Sequence, residues 1–307
     1  MPRKHPIIAV TGSSGAGTTS VQHAFAEVFR RLDLDAAFVH GDAFFRYDRE
    51  EMEKTIEASV TSGKPVSHFG PDTNLFAELE ELFREYSDSG AGLIRHYIQD
   101  EEDAALHNMP AGKFTDWSPL PESSDLLFYE GLHGGVVAST WTRRRSSPAH
   151  LPANRPERRK GERGVDVAQH VDLLIGVVPV INLEWIQKIH RDCSRLNYTA
   201  ENVTATILRR MNDYINFIVP QFSITDINFQ RVPMVDTSNP FEAQDVPLAD
   251  ESVVVVHFRD PKRHDFSALL KNIRGAYMSR ANTMVVPGGT MAHALEVICT
   301  PIIRSFL

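Results

Sequence analysis

The chain has 307 residues, 42% hydrophobic and 23% charged, which fits one large α/β domain or two small ones with a sizeable core. A formal net charge of −8 argues against general nucleic-acid binding, and no apolar run is long enough to span a membrane. Cys193 and Cys299 stand far apart, so neither a disulfide framework nor a cysteine-based zinc site is expected, and MPRKHPIIAV is too short before its first glycine for a signal peptide; a reduced, cytoplasmic protein is the expectation.

The apolar run Ile7–Val10 reads as a strand. It enters the glycine-rich stretch Gly12, Ser13, Ser14, Gly15, Ala16, Gly17, Thr18, Thr19, and helical sequence follows to about Arg31. Strand, glycine loop and helix form the setting of a phosphate-binding loop, whose amide groups and helix N-terminus face an anion. Gly12 and Gly17 have the G-x-x-x-x-G spacing, and Thr19 supplies the hydroxyl for Mg2+. The lysine expected next to it is replaced by Thr18. A tight strand-to-helix connection with no ligand is the alternative reading of this stretch.

Ala36–His40 reads as a second strand ending in Gly41-Asp42, which places Asp42 where open α/β sheets hold ligands. Asp48–Thr61 reads as a helix, His68–Asn74 as a turn-rich loop, and Thr73 or Asn74 as the cap of a helix running to about Tyr86. Leu93–Ile98 is expected as a strand, followed by an acidic surface stretch. Leu126–Tyr129 is a compact apolar run closing on Glu130 and Gly131. A carboxylate at a strand end can hold Mg2+, as in a Walker-B strand, or can serve only as a turn residue.

Residues 142–164 are rich in arginine and proline and lack hydrophobic periodicity. They read as an exposed, poorly ordered insertion, with an anionic surface or partner as the alternative. Val171–Val180 reads as a strand buried on both faces. Asn182 is the expected cap of the next helix, on which Lys188, Arg191 and Asp192 share one face. That face is either an ordinary surface ion pair or a helix bringing cations to a transferring phosphate. A long helix over Thr199–Val219, strands at Phe229–Asp236 and Ser252–Phe258, and helices at Phe266–Arg274 and Met291–Ile303 complete the chain. The expected fold is α/β: a P-loop nucleotide-kinase-like mixed β-sheet with a parallel core flanked by helices, one domain over residues 1–307 with the 142–164 insertion within it.

Longer strings add a resemblance. TGSSGAGT, GDAFFR, FTDW, LLFYEGLHG, IGVVPVINLEWIQKIHRD, ILRRM, PQFS, TDINFQRVPMVDTSNPF, YMSR and VVPGG, spread from about Lys4 to Ile303, resemble the phosphoribulokinases of the bacterial type. Members of that type also carry Thr or Ser in place of the loop lysine. The resemblance implies transfer of the γ-phosphate of ATP, with Mg2+, to the 1-hydroxyl of ribulose 5-phosphate, a step of the Calvin cycle. It implies Asp42 as general base, Glu130 and Asp192 with Thr19 on the metal side, and Lys188 and Arg191 at the transferring phosphoryl group. Arg49, Tyr97 and His133 match positions that bind the sugar phosphate. A homo-oligomer, commonly an octamer, activated by NADH and inhibited by AMP is also implied, with Arg31, Arg209 and Arg210 as candidate effector or subunit contacts.

Three positions depart from the family strings: Phe45 and Gln99 stand where histidines are usual, and Leu196 where an arginine is usual. Each change is expected to remove a ligand from the sugar-phosphate side. Loss of one or two charge-assisted hydrogen bonds would raise the KM about tenfold to a few hundredfold. A kinase of another sugar phosphate and a non-catalytic nucleotide-binding sensor are the alternative functions.

Overall fold

The computed structural model describes residues 5–13, 18–63, 65–137, 164–196, 198–241 and 245–307; of residues 18–20 and 195–196 it describes the backbone alone. The expected 142–164 insertion therefore lies outside the described residues except for Gly164.

Ten strands and eight helices organise the described residues. In chain order they are β1 (Ile7–Gly12), α1 (Thr18–Leu32), β2 (Ala36–His40), α2 (Arg49–Thr61), α3 (Phe76–Ser89), β3 (Leu93–Ile94), α4 (Glu101–His107), β4 (Ser118–Pro119) and β5 (Leu126–Gly131). Then follow β6 (Leu173–Val178), α5 (Ile181–Leu196), α6 (Ala200–Asp213), β7 (Ile227–Pro233), β8 (Ser252–Phe258), α7 (Phe266–Asn272), β9 (Tyr277–Arg280), β10 (Thr283–Pro287) and α8 (Met291–Arg304).

Eight strands form one sheet in the order β2-β5-β1-β6-β7-β8-β10-β9. Pairing is parallel from β2 to β7 and antiparallel from β7 to β9. The parallel half is covered on both faces, so β1 is apolar without a break. Strand alternation sends Ile8 and Val10 to one side, where they meet Phe25 and Phe29 of α1 and residues such as Ile298 of α8. Ile7 and Ala9 point to the other side, against Leu79, Phe83 and Tyr86 of α3. Each fully buried side chain of this size contributes about 1.5–3 kcal/mol, so the central strand is held firmly between two apolar layers.

Several expected boundaries shift for local reasons. Asn74 does not cap α3: its amide donates to the carbonyls of His68 and Gly70 at 2.8 and 2.7 Å, and Leu75 takes the cap position without a side-chain bond. Asn182 lies inside α5, and its amide donates to the Thr237 carbonyl at 2.9 Å. Beyond Ile94 the chain leaves the strand; Leu93–Ile94 pairs with β4, and Tyr97 makes an isolated bridge with Phe114. The acidic stretch after Gln99 is helical, because Asp100 accepts from the amides of Glu102 and Asp103. The long helix expected to Val219 ends at Asp213, then widens into a π turn over Tyr214–Ile218 and a 3-10 turn over Val219–Ser223. Pro220 has no N–H for the Asn216 carbonyl, so the regular ladder cannot continue there.

The ends of β2 and β5 are brought unusually close. A Cβ on Gly131 would lie 2.7 Å from Gly41 Cα and 2.6 Å from the Tyr129 hydroxyl. A Cβ on Gly41 would meet Gly131 Cα at 2.8 Å. Only glycine at both positions permits this backbone approach. Gly131→Ala is expected to destabilise the protein by about 1–3 kcal/mol through overpacking against backbone. Urea denaturation measures this, and a variant as stable as the wild type would contradict the packing.

Candidate active site

The parallel register aligns Val10 with Glu130 and Glu130 with His40. Asp42 follows two residues later in a 3-10 turn over Gly41–Phe44. His40, Asp42 and Glu130 thus collect at the carboxyl edge of the sheet, the position where such sheets bind ligands. His40 Nδ1 stands 3.7 Å from Glu130 Oε2, and the Glu130 carboxylate raises the His40 pKa against the opposing effect of burial. Burial, and then the negative charge of Glu130, push the Asp42 carboxyl up to about 6, with His40 opposing. Asp42 Oδ2 accepts a hydrogen bond from Gln99 Nε2 at 2.9 Å.

Gly12 and Ser13 continue from β1 into this edge. Ser14, Gly15, Ala16 and Gly17 lie outside the described residues, as do the side chains of Thr18 and Thr19. The Ser13 hydroxyl is buried and donates to Glu184 Oε1 in the first turn of α5. Burial raises the Glu184 pKa, while Ser13, Lys188, Arg210 and Arg191 pull it back. Behind the loop, Gln221 is fully buried. Its Oε1 accepts from Gly135 N at 2.9 Å and lies 3.1 Å from Thr11 Oγ1, and its Nε2 donates to the carbonyls of Leu132 and Phe217 at 2.9 and 2.8 Å. One amide thereby ties the ends of β1 and β5 to the π turn.

A group of cations gathers on α5 and α6. Lys188 Nζ is 2.5 Å from Asp192 Oδ2, and Arg191 Nε is 2.9 Å from Asp192 Oδ1. Burial alone would push Asp192 up, but the Lys188 and Arg191 interactions outweigh it and hold the carboxyl below its usual range. Burial and the charge of Arg210 lower Lys188, which Asp192 opposes. The directions are compatible: the pair is charged, and Lys188 also feels a second cation. Arg210 is pushed down to about 10, mainly by burial and then by Arg209, and stays charged at neutral pH. The Nε atoms of Arg209 and Arg210 are buried without a hydrogen-bond partner among the described residues. Lys188, Arg210 and Glu184 also line an open cleft, whose walls include Phe69, Trp185 and Tyr214.

On the third side, Arg49 begins α2 and donates to the Gln99 carbonyl at 2.6 Å. Burial raises the Tyr97 pKa, and Arg49 opposes it. Tyr97 packs edge-on against Phe45, and Phe45 against His68 at 4.8 Å between centroids. Burial, then the charges of Arg210, Arg209 and Lys188, lower the His68 pKa to about 3. His133 is 3% exposed, and burial lowers its pKa to about 3 as well. Both rings are neutral at physiological pH, so His133 brings no positive charge to a bound phosphate. Its Nδ1 is buried without a hydrogen-bond partner among the described residues. Of the three departures, Phe45 joins an apolar cluster with Phe69, Leu132, Tyr214 and Ile218, and Gln99 bonds Asp42. The Leu196 side chain lies outside the described residues.

Residues 7–238 match the Phosphoribulokinase / Uridine kinase family. The chain is 53% identical over 308 residues to a phosphoribulokinase of Nitrobacter vulgaris, a match covering 100% of this chain and 98% of that protein. It is 52% identical over 304 residues to the chromosomal phosphoribulokinase of Cupriavidus necator, covering 99% of this chain and 96% of the relative. The chain belongs to the phosphoribulokinase family. The solved phosphoribulokinase from Rhodobacter spheroides superposes with a TM-score of 0.84 at 48% identity, covering 99% of this chain and 98% of that one. The family makes this protein a kinase, which implies ATP as phosphoryl donor.

For the kinase, Lys188, Arg191 and Asp192 do converge as their helical spacing predicts. Glu184 was not singled out, although it stands four residues before Lys188 and eight before Asp192 on one face; that spacing is a readable signal. His68 and Gln221 carry none, because their positions depend on a loop and on a π turn. Among the described residues no three His, Cys, Asp or Glu side chains converge as a metal cage. Mg2+ sites beside phosphates take one or two protein carboxylates with waters and phosphate oxygens. Glu130, with 17% side-chain exposure at the strand end, fits that need. Asp192 has both oxygens engaged by cations. No helix among the described residues is long and apolar enough to cross a membrane.

Proposed function

We propose that this kinase transfers the γ-phosphoryl group of ATP to the 1-hydroxyl of ribulose 5-phosphate, giving ribulose 1,5-bisphosphate. The observation that carries this reading is the meeting of Asp42 and Glu130 at the carboxyl edge of the sheet, where the charge of Glu130 acts on Asp42, in a chain matched along its length by proteins named phosphoribulokinase. Asp42 takes the proton of the acceptor hydroxyl. A carboxylate with a pKa of about 6 is ionised at neutral pH yet more basic than an ordinary aspartate. The backbone of Gly12–Thr19 holds the nucleotide phosphates. Mg2+, when bound, would neutralise phosphate charge, and Glu130 and the Thr19 hydroxyl would hold it, since both Asp192 oxygens are taken by Lys188 and Arg191. Lys188 and Arg191, with Arg210 behind them, place positive charge at the transferring group, the role a loop lysine has elsewhere. Asp192 keeps Lys188 and Arg191 in place. Arg49, Tyr97 and His133 bind the sugar phosphate, His133 through a neutral ring.

The wider reading is a cytoplasmic, single-domain enzyme with the 142–164 insertion within it, a homo-oligomer activated by NADH and inhibited by AMP. Support for these points is the family resemblance. Arg31 bonds Glu27 and Glu296 and thereby links α1 to α8, an ion pair that leaves it less available to an effector. A kinase of another sugar phosphate is the second reading, favoured by Phe45, whose ring sits in an apolar cluster beside Tyr97.

Turnover is measured as ADP release with Mg-ATP across a panel of pentose phosphates. Ribulose 5-phosphate is expected to give the highest kcat/KM, and Asp42→Asn to lower kcat by about 10²- to 10⁴-fold. A better alternative substrate, or an active Asp42→Asn variant, would overturn the assignment. The sign of the pH dependence follows from the raised pKa. The base works only when deprotonated, so kcat/KM is expected to rise with pH up to about 6 and then level off. A profile already flat at pH 5 would contradict it.

A further inference from the structure

Gln99 bonds the proposed base and yet belongs to no motif of the glycine loop or the cation helix. Its side chain is exposed, and its backbone is clamped on both sides. Its N–H donates to Asp103 Oδ2 at 3.1 Å, and its carbonyl accepts from Arg49 at 2.6 Å. The neighbouring Ile98 is fixed in turn by Lys113 O at 2.9 Å and by Gly112 N at 2.6 Å. The Asp100 cap of α4 follows immediately. With its main chain held so firmly, the Gln99 amide has a defined reach, and it ends on Asp42 Oδ2 at 2.9 Å. No other hydrogen bond to the Asp42 carboxylate is made among the described residues; Glu130 and His40 act on it through charge.

We propose that Gln99 is a positioning residue for phosphoryl transfer: its N–H grips Asp42 Oδ2 and aims the free oxygen, Oδ1, at the acceptor hydroxyl. This rests on the reading of Asp42 as the base. The proton leaves the hydroxyl for Oδ1 as the oxygen bonds to the γ-phosphorus and the bond from that phosphorus to the β,γ-bridging oxygen breaks, releasing ADP; Gln99 itself exchanges no proton. A carboxylate held by one oxygen loses rotational freedom about its Cβ–Cγ bond, and that orientation raises the fraction of productive encounters. The amide does not titrate, so the grip is the same across the working pH range, unlike that of a histidine, the usual family residue here. The residue resemblance assigns to the sugar phosphate is thus assigned to the base instead.

The experiment compares Gln99→Met, Gln99→His and Gln99→Glu with the wild type in steady-state kinetics with Mg-ATP and ribulose 5-phosphate. Arg49 and Asp103 hold the backbone of residue 99, so all three are expected to melt with the wild type. Gln99→Met is expected to lower kcat roughly ten- to hundredfold, the scale of a lost hydrogen bond to a charged group, with the KM for ribulose 5-phosphate within about threefold. Gln99→His, whose ring N–H can meet the same oxygen, is expected to recover kcat to within about threefold of wild type. Gln99→Glu, which substitutes a repelling charge for the donor, falls at least as far as Gln99→Met. A raised KM with unchanged kcat in Gln99→Met would overturn the proposal and make Gln99 a substrate ligand. Three variants equal to wild type would overturn it too. A wild type that turns over no ribulose 5-phosphate removes the functional reading and this proposal together, whereas an active wild type with either of those outcomes removes the proposal alone.

Discussion

The structure depends on the contact between Gly41 and Gly131. Parallel strands β2 and β5 already run side by side, but side chains ordinarily keep chain ends apart beyond the last ladder bond. Here two glycines pack backbone against backbone beneath the Tyr129 hydroxyl, which also accepts from His133 N at 3.4 Å. The next side chain after Gly41 is Asp42, and the last before Gly131 is Glu130. Backbone proximity therefore brings the two carboxylates together, and burial, then the charge of Glu130, raises the Asp42 pKa.

The remainder of the site balances that negative edge. α5 presents Glu184 toward Ser13 and Lys188 and Arg191 toward Asp192, and α6 adds Arg209 and Arg210. Four cations against two carboxylates leave this side electropositive, as a polyanionic phosphoryl donor requires. The cost of burying the cations shows in the lowered pKa values of Lys188 and Arg210 and in the neutral state of His68 beside them. A bound phosphate would supply the partners that the buried Nε atoms of Arg209 and Arg210 lack among the described residues. α5, which carries Lys188 and Arg191, is distant from the glycine loop in sequence and is joined to Ser13 at its start by the Ser13–Glu184 hydrogen bond.

Much of this was legible before any coordinates. The uninterrupted apolar runs of β1 and β6 announce strands buried on both faces, and the acids that close β2 and β5 sit at strand ends as their position after those runs predicts. The shared face of Lys188, Arg191 and Asp192 follows from helical spacing alone. What was not legible depends on contacts across long sequence separations. Gln99 reaches Asp42 over 57 residues, and Gln221 reaches Thr11 over 210. Asn182 has ordinary capping chemistry, yet a partner 55 residues away claimed its amide, whereas the Asn74 amide went to carbonyls of its own loop. His133 shows another limit: the resemblance names it, but only its burial in the fold shows that its ring is neutral.

The most direct test is a carboxyl carbon-13 titration of the free protein, with the Asp42 signal assigned by its loss in Asp42→Asn. The account predicts a midpoint at about 6 in the wild type. It also predicts a lower midpoint in Glu130→Gln, because removing the neighbouring charge leaves burial alone to raise the pKa. An Asp42 midpoint near 4, the ordinary aspartate range, in both proteins would contradict the account.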